Sequence, residues 1–226
     1  MLWHAFAAPD VWLAPGLAEA LGNTLFVGTV AALLTVGAAV FLVYGVRMAG
    51  RGFARVVLPL TTLGYAAPGA VLAVGILIPL AALDNRVADA VFALTGNDPG
   101  LIMTGTSGAL ILAYAVRFFG IAQGAVDAAF GRVSPSLPMA ARSLGRTAGG
   151  ALQSVYMPLM RGSVATALLV VFVDCVKELP ATLLLRPFNF NTLATRVFEL
   201  ASLERLSEAA PAALMVMAVG LCAVAL

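Results

Sequence analysis

Asp174, Lys177, Glu178 and Pro180 stand close together in an otherwise apolar run from about Arg161 to Leu185. Steps of three and four residues put the two carboxylates and the ammonium on one helical face. A charge at membrane depth costs about 2.5–3.5 kcal/mol on insertion scales, so such groups persist where they pair or line water. One cation against two carboxylates leaves that face net negative. Pro180 removes a backbone donor and frees a carbonyl one turn back. The pattern suits the wall of a cation path. The alternative is an ion pair that locks helices together; either way the face meets other helices rather than lipid.

The elements that must position these groups are membrane helices. The chain is 62% hydrophobic and 11% charged, with mean hydropathy +1.00. A soluble domain is nearer ~45–50% apolar and ~25% charged. A span needs about 20 mostly apolar residues, and five candidates qualify: about Leu21–Val46, Val56–Leu83 (with Pro59, Pro68 and Pro79 inside), Leu101–Phe130, Arg161–Leu185, and a run from about Ala209 to the last residue, Leu226. The last run has sixteen residues from Pro211 onward, roughly 24 Å of helix against a hydrocarbon core of ~30 Å, and is read as an incomplete span.

Basic residues set the orientation. The loop between spans one and two carries Arg47, Arg51 and Arg55, and that between spans three and four carries Arg132, Arg142, Arg146 and Arg161, neither with an acid. Both are expected in the cytoplasm, with the N-terminus outside. No basic n-region with an apolar core marks a signal peptide; Trp3 and Trp12 suit a membrane interface. The net charge of +2 implies no nucleic-acid partner. Cys175, Cys222 and His4 have no metal-ligand spacing, and no metal site is assigned. No P-loop, paired His or Ser/His/Asp set is present, so no residue is assigned as catalytic and an enzyme is not expected.

The cytoplasmic loop at about 131–160 is too polar to cross a bilayer. Ser136 is placed to cap a helix with Pro138 in its first turn, continued by Ala140, Ala141 and Leu144. Gly145 is placed to end it in a left-handed conformation. Thr147 is placed to cap a second helix through Leu152, Val155 and Tyr156, and Pro158 marks the junction with span four. The prediction is helix–turn–helix.

This loop resembles that of the permease subunits of binding-protein-dependent ABC importers, whose pattern is Glu-Ala-Ala, three residues, Gly, nine residues, an aliphatic, one residue, Leu-Pro. Here the matching positions are Met139, Ala140, Ala141, Gly145, Val155, Met157 and Pro158. Met139 replaces the usual Glu and removes a carboxylate that could pair with a partner; Met157 replaces Leu. The segment Lys177–Ser202 (KELPATLLLRPFNFNTLATRVFELAS) resembles ferric-iron importer permeases most specifically, with Asn191 standing for a more usual Asp. Gly64-Tyr65-Ala66-Ala67-Pro68-Gly69 and Ala113-Tyr114-Ala115-Val116-Arg117-Phe118 resemble the same family.

The resemblance implies an all-α polytopic transmembrane bundle of the type I ABC importer (MetI-like) fold, one domain over residues 1–226 with a coupling loop at 131–160. It implies the second half of a duplicated permease, lacking the first span of that half and the end of the last. The implied function is import of ferric iron across a bacterial inner membrane. Thiamine, sulfate, phosphonate or polyamine are alternative cargoes, and half of an ion-driven secondary transporter is the alternative from another class. The implied partners are a dimer of ABC ATPase subunits that bind ATP and Mg, a periplasmic substrate-binding protein, the other permease half and membrane lipid. This chain would need no cofactor of its own. The implied translocation path runs by Asp174, Lys177, Glu178 and Pro180.

Overall fold

The computed structural model describes residues 9–49 and 51–225. Trp3 and His4 lie outside the described residues, as do the side chains of Asp10, Arg51 and Arg55. All regular structure among the described residues is helical, and five stretches are long and apolar enough to cross a membrane: Leu17–Ala49, Gly69–Thr95, Ser107–Gly131, Ala148–Val176 and Leu206–Ala223.

After a short 3-10 turn at Pro9–Leu13, helix α1 (Leu17–Ala49) runs for 33 residues. Its buried seam is made of small and β-branched residues at helical spacing, among them Ala20, Val27, Ala31, Ala39 and Val43. Small side chains permit the close backbone approach on which membrane helix packing depends; a Cβ on Gly28 would lie 3.1 Å from the Phe172 ring. The opposite face presents Phe26, Leu33, Leu34 and Phe41 outward, as lipid contact requires. Thr24 and Thr35 return their hydroxyls to the carbonyls of Ala20 and Ala31 at 2.7 and 2.5 Å, which satisfies them without water.

The predicted second span is two pieces. Helix α2 (Arg51–Thr61) and the short α3 (Leu63–Ala66) are followed by a break, and the spanning helix is α4 (Gly69–Thr95). The break falls where a proline forces it: Ala67, directly before Pro68, is extended at ψ 139°, as the Pro ring requires of its predecessor. Pro59 and Pro79 are instead accommodated inside α2 and α4. Helix α5 (Ser107–Gly131), capped by the Thr106 hydroxyl, is the third span.

Two short helices, α6 (Ser136–Ser143) and α7 (Ala148–Ala151), lead through a π-helical turn at Leu152–Tyr156 into α8 (Met157–Val176). The predicted fourth span therefore starts earlier and ends earlier than Arg161–Leu185. Its last part is a separate helix, α9 (Pro180–Leu185), followed by α10 (Leu193–Ser202) and the fifth span α11 (Leu206–Ala225).

The core lies where α1, α5 and α8 meet, with Tyr114, Phe130, Leu110, Met160 and Val171 nearly inaccessible. At one end of the bundle Arg47 pairs with Asp127. At the other, α10 seats on the start of α1 and α11 through Leu17, Ala20, Leu193 and Ala212, and Thr24 accepts the Leu193 N–H at 2.8 Å. Also there, the buried Asp84 accepts the N–H groups of Met103 and Thr104 and ties α4 to the entry of α5.

Candidate functional site: a turn, a rod and a buried ion pair

The loop folds as the predicted helix–turn–helix, closed by a Schellman motif. Gly145 has φ +83°. Its N–H donates to Arg142 O at 3.0 Å, and Arg146 N–H donates to Ala141 O at 3.1 Å. Both bonds require the left-handed residue that glycine supplies without strain. Thr147 accepts Gly150 N–H at 3.1 Å and caps the second arm. The first cap differs from expectation: Pro135 occupies the N-cap with helical dihedrals, and the Ser136 hydroxyl pairs with Ser134 at 2.8 Å instead of a backbone N–H. Met139, Ala140 and Gly145 are exposed, with Ala141 half-buried, and Leu144 at the tip is 85% exposed. Val155 lies half-buried on the π turn, and Met157 and Pro158 are exposed in the first turn of α8.

The second arm does not stop at Pro158 but continues as one rod from Ala148 to Val176. Pro158 falls at the second position of α8. The π turn carries the chain into it, and such turns recur at functional sites. The loop end of the rod is held by an aromatic cluster. Tyr44 donates to Ala148 O at 2.6 Å, and the rings of Tyr44, Phe130 and Tyr156 lie 4.9–5.9 Å apart. Arg47 stands over Phe130 at 5.5 Å. Arg132 reaches the Ser163 hydroxyl at 3.1 Å.

At the far end of the rod the predicted charged face divides. Asp174 and Lys177 pair at 2.7 Å. Helix α8 ends at Val176, so Glu178 leaves the helical spiral and its side chain turns inward. Its Oε2 accepts from Arg117 Nε at 3.0 Å, and both side chains are largely buried. The expected net negative face is thus replaced by one neutral pair on the rod and another inside the bundle. Pro180 does not kink a continuous span; it is the first residue of α9, where the missing N–H costs nothing.

Around Arg117 a small polar centre closes. Its Nη1 donates to Ala67 O at 2.8 Å. Glu178 Oε1 accepts Ala181 N–H, Thr182 Oγ1 donates to Glu178 O at 2.6 Å, and Tyr114 and Thr182 share a 2.5 Å bond. A Cβ on Gly69 would stand 2.6 Å from Glu178 Oε1, and one on Gly64 would stand 2.3 Å from Val116 O. The three stretches singled out in sequence, 64–69, 113–118 and 177–202, converge here. Arg117 was the missed participant. Its signal is a charge ten residues into an apolar helix, about 15 Å from the helix start, which calls for a partner.

Beside the rod run two adjoining cavities. One of about 570 Å³ is lined by Arg132, Gly162, Ser163 and Thr166 among others, and one of about 400 Å³ by Thr166, Val170, Asp174 and Lys177. They share Thr166 and Val170, so an open groove follows the rod from Arg132 to Lys177. Asp174 and Lys177 face it; Glu178 does not. No cluster of three or more His, Cys, Asp or Glu side chains suited to a metal occurs among the described residues.

No family model matches the chain. Over 106 residues, 47% of this chain, it is 33% identical to the Fe(3+)-transport system permease protein FbpB 2 of Haemophilus influenzae, and the match spans 21% of that relative's length. A crystal structure of a bacterial alginate ABC transporter, in complex with an alginate pentasaccharide-bound periplasmic protein, contains a chain that superposes at TM-score 0.74. The match has 15% identity and covers 95% of this chain and 79% of that one. A second structure, of a bacterial ABC transporter involved in the import of the acidic polysaccharide alginate, gives 0.71 at 16% identity, covering 98% and 85%. The chain therefore has the fold of the ABC importer permeases and is similar in sequence to an iron-transport member of them.

Proposed function

We propose that this chain is a permease subunit of an ATP-driven importer, embedded in a bacterial inner membrane with the 131–160 loop in the cytoplasm and the start of α1 outside. The observation that carries the reading is mechanical. An exposed helix–turn–helix, rigidly closed at Gly145, runs without interruption into a membrane-length rod. A push on the loop is thereby delivered along a bundle helix. ATP and Mg would bind ATPase subunits docked on Met139, Ala140 and Leu144, and a periplasmic binding protein would deliver cargo at the opposite end. A second permease half would complete the path along the groove beside Asp174 and Lys177.

The proposed cargo is ferric iron. Its support is the iron-transport relative and a carboxylate, Asp174, facing the groove. The alginate transporters share the fold at 15–16% identity. An acidic oligosaccharide would instead be met by Lys177 and Arg132 along the same groove.

The test of coupling is Gly145→Val in the assembled transporter. At φ +83° a β-branched residue is strongly disfavoured, so the turn must open. ATPase subunits should no longer co-purify and uptake should stop. Unchanged uptake would sink the coupling assignment. Asp174→Asn should lower uptake of Fe(III) while leaving ATPase binding intact, whereas a loss of alginate-oligosaccharide uptake in Lys177→Gln would move the cargo to that class.

A further inference from the structure

We propose that Arg117 is the positioning residue of a single joint through which movement of the rod reaches the outer half of the bundle. This rests on the permease reading above. Two helices are interrupted, α3/α4 at Ala67–Pro68 and α8/α9 at Lys177–Leu179. Helix α5 passes both breaks uninterrupted, and one guanidinium on it holds both: Nη1 on the carbonyl of Ala67, Nε on the carboxylate of Glu178.

The fork geometry matters. Arg presents donors in two directions from one rigid plane; a Lys ammonium on a flexible stem does not fix two partners relative to each other. Tyr114, one turn earlier on α5, fastens α9 through Thr182. Gly69 leaves the space the pair occupies, since a Cβ there would overlap Glu178 and crowd Arg117. The joint is largely buried, with Glu178 only 8% and Arg117 17% exposed, and direct bonds hold its geometry. A displacement entering at the 136–147 turn travels along the rod and arrives at Glu178. Through Arg117 it acts on the start of α4, and through Thr182 on α9.

Three variants test this: Arg117→Lys, Glu178→Gln, and the double replacement Arg117→Met/Glu178→Met, which removes the joint without leaving a buried charge. The first readout is cargo moved per ATP hydrolysed by the complete transporter in proteoliposomes. We expect it to fall about five-fold or more, with ATPase subunits still co-purifying. A purely structural pair would lower the amount of protein and leave this ratio unchanged in what survives, which would overturn the proposal. So would wild-type coupling in the double variant.

The second readout needs no ATPase and no cargo: amide hydrogen exchange of the purified chain in detergent. In Glu178→Gln, exchange should quicken at 62–68 as well as at 177–183, although no substitution lies in the first stretch. A change confined to 177–183 would overturn the joint. If wild-type chain captures no ATPase at all, the permease reading fails, and the exchange result alone decides whether the joint exists.

Discussion

The rod 148–176 is held at both ends, and the two holds are built from different chemistry. At the turn end, Tyr44, Phe130 and Tyr156 pack as rings, with Arg47 and Asp127 on the exposed rim. Aromatic pairs hold by area and ring geometry, supplemented here by the bond from the Tyr44 hydroxyl to Ala148 O. At the far end, Arg117 and Glu178 are joined by one charge-assisted bond of 3.0 Å in a buried site. Such bonds are directional, and costly to leave half-made. One end is held mainly by packing, the other by a buried charge pair. A π turn at the aromatic end, Leu152–Tyr156, is a local irregularity in an otherwise regular rod.

The largest expected effect lies at the ionic end. Arg117→Ala strands a buried carboxylate and should destabilise the chain by about 3–5 kcal/mol, whereas Arg117→Met/Glu178→Leu should recover most of that loss. Unfolding in mixed micelles by denaturant checks both, and equal loss in the single and the double variant would erase the contrast between the two ends. Next comes Gly64→Val. Its Cβ would meet Val116 O at 2.3 Å, and the backbones of α3 and α5 must part, at about 1–3 kcal/mol for overpacking. Tyr44→Phe at the aromatic end removes one hydrogen bond and keeps the rings. The expected cost is about 0.5–1.5 kcal/mol, with faster exchange confined to the first turns of the rod. The smallest effect is Lys177→Ala. Its side chain is 62% exposed, so the loss should stay within about 1 kcal/mol and be abolished by salt. A large, salt-insensitive loss would mean that the Asp174–Lys177 pair is also part of the rigid hold.

These contrasts were unevenly legible in the amino-acid sequence. The spans are readable because a predominantly apolar run of about 20 residues matches the thickness of a bilayer and exceeds what a soluble core helix needs. The turn was readable because Gly145 and Thr147 act locally, each through bonds to residues within five positions. The boundaries were not. Pro68 breaks its helix whereas Pro59 and Pro79 are absorbed, and the residue type alone does not separate the cases. Residues 148–156 read as a short second helix of the cytoplasmic loop, because their small, weakly polar side chains carry no strong apolar signal, and the structure makes them the start of a span. Glu178 was read by its spacing from Asp174, and its actual partner stands 61 residues away. Helical spacing identifies neighbours only as far as the helix lasts, and this helix ends two residues short of Glu178.

That separation of 61 residues has a consequence for how the protein is made. At about 5–20 residues per second, the carboxylate leaves the ribosome roughly 3–12 seconds after the guanidinium it neutralises. During that interval the Ser107–Gly131 segment must enter the membrane with Arg117 unpaired. The mean hydropathy of 1.6 over its most apolar 18 residues includes that arginine, and the apolar residues around it have to outweigh an insertion cost of about 2.5–3.5 kcal/mol. The segment beginning at Ala148 meets the reverse situation: when it arrives, a cation is already waiting for Glu178. Biogenesis is therefore asymmetric, with the earlier segment carrying the risk and the later one closing the site.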